Sequence, residues 1–200
     1  LTPDDAFLTI AHAIAIAIDG DTISILGGDT FRLDEDNAGE SIVLTQKYLT
    51  IEGVGSSKIR SGLLETTTIP TLTTAKVTDS ADWTLDATLS LYYTTQSSGH
   101  NPHAVFDPSF TSTQQVSAEV TSIGNISSGT MYYEQGTPDR IYYVVASGNT
   151  ATNPGSLSVE VPLQPFFFDP SNTANANQNI ILRNLRFDKW STHAILTGAH

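Results

Sequence analysis

The densest group of side chains with chemical potential lies near the end of the sequence, where Asp188, Lys189, Trp190 and His193 fall within six residues. An indole presents a flat apolar face for stacking, a carboxylate and an imidazole act as acid or base, and an ammonium binds a carboxylate. We therefore take these four residues as the candidate binding site. In the alternative interpretation, Trp190 is a packing residue and Asp188 and Lys189 occupy an exposed turn.

Two other patterns are compatible with a metal ion. His100 and His103 have the spacing of two ligands, but a loop pair without a further ligand nearby is typical of exposed histidines. The acidic segment 34–40 offers carboxylates for Ca²⁺, yet it lacks the regular spacing of a calcium loop. We expect no metal or other cofactor, with Ca²⁺ as the open alternative.

Six tyrosines occur as three adjacent pairs in the middle of the chain: Tyr92-Tyr93, Tyr132-Tyr133 and Tyr142-Tyr143. Side chains alternate between the two faces of a strand. We therefore expect one member of each pair to be buried and the other to be exposed. The exposed members are candidates for an aromatic binding strip.

The composition excludes several classes of protein. The net charge of the 200-residue chain is −12, which argues against nucleic acid or an anionic membrane as partner. No run of about 18 apolar residues occurs, so we expect no membrane insertion. The absence of cysteine excludes disulfides and thiolate chemistry. Few charged residues and many Ser, Thr, Asn and Gly favour β-structure.

The elements that must position these residues form two patterns, of which the first occupies both ends of the chain. Residues 3–18 predict a helix that Asp4 or Asp5 caps and that carries an apolar stripe. The alternation of Ile and Ala over 13–18 is also compatible with a strand. Short strands are then predicted at these ranges: 22–26, 30–33, 41–44, 48–53, 179–187 and 193–196. We assign segments 1–62 and 171–200 to this architecture, in which short strands stack in successive coils.

The second pattern covers residues 63–170, where the predicted strands are longer and aromatic. Segments 134–139 and 149–155 both have the composition of hairpin connections. We therefore predict an antiparallel β-sandwich inserted between the coils.

The run from Asp19 to Phe31, which reads DGDTISILGGDTF, resembles the first coil of right-handed parallel β-helix proteins of the pectate-lyase-like superfamily. The segments YLTIEG at 48–53 and NIILRNLRF at 179–187 resemble later coils, and residues 82–161 resemble a β-sandwich inserted in some β-helix glycoside hydrolases. The implied fold is all-β: the N-terminal portion of a parallel β-helix with an N-terminal capping helix and an inserted antiparallel sandwich. Asn184 is expected at a turn, where asparagine can stack in a ladder with neighbouring coils and tolerates a left-handed backbone.

The resemblance implies a secreted carbohydrate-active protein, a glycoside hydrolase or a polysaccharide lyase. Its partner would be a polysaccharide or a cell-surface glycan, with Trp190 stacking on a sugar ring. No catalytic pair can be chosen among the coil-borne acids Asp34, Glu35, Asp36, Glu40, Glu52 and Asp188. The alternative is a non-catalytic structural or adhesive β-helix, such as a phage tail spike or a surface filament subunit.

The chain begins without Met and without a signal segment, and it stops after His200 without a capping element. We therefore expect a piece of a longer protein that ends mid-stack, with its catalytic carboxylates largely beyond residue 200. The expected location is extracellular or on a virion or cell surface. A homo-oligomer is an open alternative.

Overall fold

The computed structural model describes residues 7, 9–27, 29–46, 48–55, 59–60, 63–64, 69–96, 102, 104–110, 117–146, 150–164, 167–169 and 179–189. The chain divides into two units. Unit 1 comprises Leu1–Thr74 and Phe166–His200, and unit 2 comprises Ala75–Pro165.

Strands are the predominant regular structure of the described residues, as the composition predicts. In chain order the strands are β1 (Thr22–Leu26), β2 (Thr30–Arg32), β3 (Ile42–Val43), β4 (Tyr48–Val54), β5 (Ile59–Arg60), β6 (Leu63–Leu64), β7 (Thr71–Thr73), β8 (Ala75–Val77), β9 (Thr84–Asp86), β10 (Leu91–Gln96), β11 (Ala118–Glu119), β12 (Thr130–Glu134), β13 (Asp139–Tyr143), β14 (Glu160–Pro162), β15 (Phe168–Asp169), β16 (Asn179–Arg183) and β17 (Arg186–Asp188). The helices are α1 (Ile10–Ile16) and the single turn α2 (Leu33–Asp36). Short 3₁₀ turns occur at Ser80–Asp82, Ile123–Asn125 and Pro154–Leu157.

Helix α1 is shorter than the helix predicted over 3–18. Thr9 is its N-cap and accepts a hydrogen bond from the His12 backbone N–H at 3.1 Å, so the predicted start was wrong. Asp4 and Asp5 lie outside the described residues. Ile10 and Ile14 are buried, as the apolar stripe predicts, but Ile18 lies beyond the helix end and is 70% exposed.

Unit 1 contains three sheets of parallel strands to which the chain returns repeatedly. Their orders are β1-β4-β16, β2-β7-β17 and β3-β15. The inward side chains form rows across the strands, such as Ile23–Ile51–Leu182 and Phe31–Leu72–Phe187. These rows, together with Ile10 and Ile14, make one apolar core. Each large side chain that is fully buried contributes about 1.5–3 kcal/mol to stability.

The turn between β16 and β17 has the geometry expected for Asn184. This residue adopts a left-handed backbone with φ 54°, which confirms the sequence expectation. Its carbonyl oxygen lies so close to Gly53 that a Cβ at position 53 would stand 1.9 Å from it and 2.7 Å from Pro70 Cδ. Gly53 therefore permits the close approach of the turn that follows β16.

Unit 2 is built around a five-stranded sheet of order β11-β12-β13-β10-β9, in which only the β11–β12 pair is parallel. The hairpin predicted at 134–139 is present, since it joins the antiparallel strands β12 and β13. The hairpin predicted at 149–155 was wrong, because β13 pairs with β10 and β12 whereas β14 pairs with β8. That pairing joins segments far apart in sequence and has no local signal.

Apolar clusters cover both faces of the unit 2 sheet. Tyr143, Met131 and Ile141 pack with Trp83 on one face, and Tyr142 packs on the other face with the cluster Leu91, Val144, Ile123 and Ile126. Tyr142 and Tyr143 are therefore both buried, each 1% exposed. The expectation that one member of each tyrosine pair is exposed was wrong here, because alternation decides the face and not whether that face is covered.

Candidate functional site

The structure places two of the four predicted binding residues at the end of β17. Asp188 Oδ2 lies 3.7 Å from a terminal guanidinium nitrogen of Arg186, and both side chains are substantially exposed. Lys189 follows with a left-handed backbone, φ 53°, and its carbonyl oxygen accepts a hydrogen bond from Thr74 Oγ1 at 3.2 Å. Trp190 and His193 lie outside the described residues.

Arg186 is a charged neighbour of Asp188 that the sequence did not single out. The two residues are two positions apart on one strand, so they share a face, while Phe187 between them packs against the core. The alternation of charged and apolar residues in Arg186-Phe187-Asp188 already indicated that the two charged side chains share a face. The pairing register adds a third basic residue, since Arg32 on β2 and Asp188 on β17 both align with Thr73 on β7.

We call Arg32, Thr73, Arg186, Asp188 and Lys189 the β17 site. Its three basic side chains outnumber its one carboxylate, in a chain whose net charge is −12. Thr73 is buried, whereas the side chains of Arg186 and Asp188 are substantially exposed. This arrangement can donate hydrogen bonds to hydroxyl or carboxylate oxygens and can accept them at one carboxylate.

The acidic segment 34–40 has a structural role that the sequence did not reveal. Asp36 accepts hydrogen bonds from the backbone N–H groups of Ile10, at 2.7 Å, and Ala11, at 3.0 Å, in the first turn of α1. Burial raises the pKa of Asp36, and these two hydrogen bonds only partly offset that effect. Within the described part of the chain, no group of three or more His, Cys, Asp or Glu side chains could hold a metal ion. His100 and His103 lie outside that part.

Three tyrosines lie side by side on one face of the unit 2 sheet. Tyr93 on β10, Tyr142 on β13 and Tyr132 on β12 are in register on adjacent strands. The ring centroid of Tyr142 lies 5.5 Å from that of Tyr93 and 6.4 Å from that of Tyr132. Tyr142 is buried, whereas Tyr93 and Tyr132 are partly exposed. The predicted aromatic strip therefore corresponds to this row, with its middle ring covered.

Charged side chains surround the hydroxyl of Tyr142. Arg140 donates to Tyr142 Oη at 3.3 Å, and the hydroxyl lies 3.4 Å from both Glu134 Oε2 and Asp86 Oδ2, to either of which it can donate. Burial raises the pKa of Tyr142; the charges of Glu134 and Asp86 add to this effect, whereas Arg140 opposes it. The hydroxyl therefore stays protonated.

The Arg140 guanidinium also lies 4.7 Å from the Tyr93 ring centroid. We call these six residues, Tyr93, Tyr132, Tyr142, Arg140, Glu134 and Asp86, the tyrosine surface.

The tyrosines on the opposite face have structural roles. Tyr143 donates to Asp107 Oδ2 at 2.6 Å, and Tyr133 donates to Asp139 Oδ2. Both aspartates are fully buried, and backbone N–H groups also bind them. Burial and the hydrogen bond to Asp139 raise the pKa of Tyr133 to about 12. These pairs stabilise the interior of unit 2.

Comparison with known proteins bears on the fold. No family model matches the chain, and no curated protein matches it. One solved structure, the complex of XylC with xylose, is similar with a TM-score of 0.58 at 16% sequence identity. The fold resembles that of XylC. The likeness covers 96% of this chain and 33% of the XylC chain, so this chain spans about a third of the length of XylC.

The likeness to XylC is one of architecture, and it includes residues of both units because it covers nearly all of the chain. The tyrosine surface and the β17 site are defined by the geometry of this chain alone. As to membranes, the described helices are all too short or too polar to span a bilayer.

Proposed function

We propose that this chain is part of a right-handed parallel β-helix protein with a capping helix, α1, and an inserted antiparallel β-sandwich, unit 2. The parallel sheets of unit 1 support this proposal, because successive passes of the chain add a strand to each of the first two sheets. Connections between parallel strands of one sheet are right-handed in about 98% of cases, which supports the handedness.

We propose further that the protein is carbohydrate-active and that its partner is a polysaccharide or cell-surface glycan. The observation that carries this is the likeness of the fold, over nearly the whole chain, to a structure that holds xylose. In this proposal the reaction is glycoside hydrolysis and the catalytic carboxylates lie beyond residue 200. The protein acts outside the cell or on a virion or cell surface.

The β17 site is the glycan-contacting part of unit 1 in this proposal. Arg186 and Asp188 supply exposed hydrogen-bond donors and acceptors on one strand face, and sugar hydroxyl groups require both. The exposed guanidinium of Arg186 can form charge-assisted hydrogen bonds with a sugar that carries a carboxylate, such as a uronic acid substituent. Trp190 and His193, which the sequence groups with Asp188 and Lys189, lie outside the described residues.

The test is a calorimetric titration of the 200-residue chain with xylohexaose and with a glucuronic-acid-substituted xylo-oligosaccharide. We expect binding of the substituted oligosaccharide to weaken about tenfold in Arg186→Gln, since a charge-assisted hydrogen bond is lost. Arg183→Gln is the matched control, because Arg183 is an exposed arginine on β16 that pairs with Glu52. Asp188→Asn is expected to change the preference between the two ligands.

Reducing-sugar release by the full-length protein tests the proposed reaction. If the chain binds no member of a broad glycan panel and the full-length protein releases no sugar, the proposal is wrong and a structural β-helix shaft is the better explanation. If the chain binds glycan but Arg186→Gln behaves like Arg183→Gln, the function stands and the β17 site is wrong.

A further inference from the structure

We propose that the tyrosine surface of unit 2 is a second glycan-binding site, selective for neutral oligosaccharides, an inference that rests on the proposed carbohydrate function. The surface belongs entirely to unit 2, whereas the β17 site belongs to unit 1.

The aromatic row has the dimensions of a short oligosaccharide. Tyr93, Tyr142 and Tyr132 are on three adjacent strands, and neighbouring strands are about 4.8 Å apart, so the row extends over about 10 Å. Tyr93 and Tyr132 at the two ends are partly exposed, while Tyr142 is buried between them. Partly exposed rings present apolar edges and faces on which the C–H groups of a sugar ring can pack.

The polar groups of the surface are available for exchange. Arg140 and Glu134 side chains are 40% and 44% exposed, and their ion pair is long, at 3.7 Å. An exposed pair of this kind contributes little to stability, so a ligand can replace it at little cost. The guanidinium donates hydrogen bonds and the carboxylate accepts them, which matches a hydroxyl group that does both.

The buried hydroxyl of Tyr142 fixes the position of these two groups. It lies within 3.4 Å of Arg140, Glu134 and Asp86. These residues belong to three strands: Glu134 to β12, Arg140 to β13 and Asp86 to β9. The stacking of Arg140 on Tyr93 restrains the guanidinium further. A pre-organised donor and acceptor lose less conformational freedom when a ligand binds.

The local charge selects neutral ligands. The surface carries one cation, Arg140, against the two carboxylates Glu134 and Asp86. A sugar carboxylate would therefore be repelled by the local excess of negative charge, which the net charge of −12 reinforces. The two sites are thus expected to have opposite preferences: the tyrosine surface for unsubstituted oligosaccharides and the β17 site for uronic-acid-substituted ones.

The opposite face of the same sheet gives the structural contrast. There Tyr133 and Tyr143 donate to the fully buried carboxylates of Asp139 and Asp107. The carboxylates of the tyrosine surface, in contrast, are incompletely buried and lie at longer distances from their partners. The carboxylates of Glu134 and Asp86 are therefore accessible to a ligand, unlike those in the interior.

The experiment is a titration of the 200-residue chain with xylohexaose, followed by calorimetry and by amide chemical shifts. We expect shift changes in β10, β12 and β13, and at least about fivefold weaker binding in Tyr93→Ala and in Arg140→Ala. Tyr48→Ala and Arg183→Ala are matched controls, because both residues are exposed in unit 1, outside the tyrosine surface. The controls are expected to bind like the unchanged chain. A glucuronic-acid-substituted ligand is expected to cause no shift changes at this surface.

Arg140→Ala keeps the proposal falsifiable if Tyr93→Ala impairs folding, because the Arg140 side chain is exposed and its loss leaves the apolar cluster intact. Unchanged xylohexaose affinity in a folded Arg140→Ala chain, or shift changes confined to unit 1, would overturn the second site and leave the proposed function standing. Absence of binding to every glycan tested would overturn both. Self-association that Arg140→Ala abolishes, without glycan binding, would identify the surface as a contact between copies and also overturn the proposal.

Discussion

Asp36 and Gln46 hold opposite ends of the same seven-residue helix. Asp36 accepts hydrogen bonds from the first two N–H groups of α1, and Gln46 Nε2 donates to the carbonyl oxygens of Ile14, at 2.8 Å, and Ala17, at 3.0 Å. A helix of this length is not stable alone, and its terminal backbone groups need partners. The two side chains supply them from outside the helix.

The first prediction concerns the stability of unit 1. Asp36→Ala leaves the N–H groups of Ile10 and Ala11 without their acceptor, and we expect it to lower the free energy of unfolding by about 1–2 kcal/mol. Urea denaturation followed by circular dichroism measures the change. Glu35→Ala is the control, because Glu35 is an exposed neighbour in α2. Equal effects of the two substitutions would contradict a role for Asp36 at the helix end.

Local signals in the sequence were sufficient for several elements. Strand β1 has the predicted bounds 22–26, bounded by Gly20 and Gly27, and the turn at Asn184 has the expected left-handed backbone. The hairpin at 134–139 follows from turn residues between two alternating aromatic strands. In each case the determining residues are adjacent in sequence.

The features that the sequence did not reveal depend on contacts between distant residues. Helix α1 begins at Ile10, and the first N–H groups of the helix donate to Asp36, which lies more than 20 residues later in the sequence. Tyr142 is buried because Ile123 and Ile126 pack on its face, which alternation within β13 cannot indicate. Likewise, Arg32 aligns with Asp188 through pairing with β7. Periodicity predicts which face a residue occupies, and only the assembled fold determines what lies against that face.

The second prediction concerns acid stability through Asp107. Burial raises the pKa of this carboxyl, but hydrogen bonds from the Ala146 N–H, from Ser109 and from Tyr143 outweigh that effect and leave the pKa below its ordinary value. A lowered folded-state pKa contributes stability above the unfolded-state value of about 3.9, and this contribution is lost as the pH falls through the folded-state pKa. Unit 2 should therefore lose stability below about pH 4.

Asp107→Asn tests this relationship. We expect the free energy of unfolding at pH 7 to fall by about 2–4 kcal/mol, because the amide replaces two of the four hydrogen-bond acceptor functions of the charged group. The slope of stability against pH between about pH 5 and 2 should also become smaller. Urea titrations at several pH values measure both quantities. An unchanged slope would refute the assignment, and Glu35→Gln, at an exposed position, serves as the control.

The third prediction concerns alkaline stability through Tyr133. Its pKa of about 12 lies above the ordinary value of a tyrosine, so its contribution to stability is complete below about pH 10 and is lost as the pH rises through 12. Tyr133→Phe removes the ionisable hydroxyl and should flatten the loss of stability between about pH 9 and 12. The difference in tyrosinate absorbance between the unchanged chain and Tyr133→Phe, recorded together with circular dichroism, measures whether Tyr133 ionises only on unfolding. Ionisation of Tyr133 near pH 10 in the folded chain would contradict its pairing with Asp139.

The fourth prediction concerns the close approach at Gly53. A Cβ at this position would stand 1.9 Å from the Asn184 carbonyl oxygen and within 3 Å of two Pro70 ring carbons, so the turn after β16 would have to move. We expect Gly53→Ala to destabilise unit 1 by at least about 3 kcal/mol, because the obstruction includes backbone that cannot rotate away. Gly124→Ala is the control: its added Cβ would meet only Ser122 Oγ, at 3.8 Å, an ordinary contact. Thermal unfolding of the two variants measures the difference. If Gly53→Ala unfolded at the same temperature as Gly124→Ala, the strands β4 and β16 and the Asn184 turn could not be packed as described.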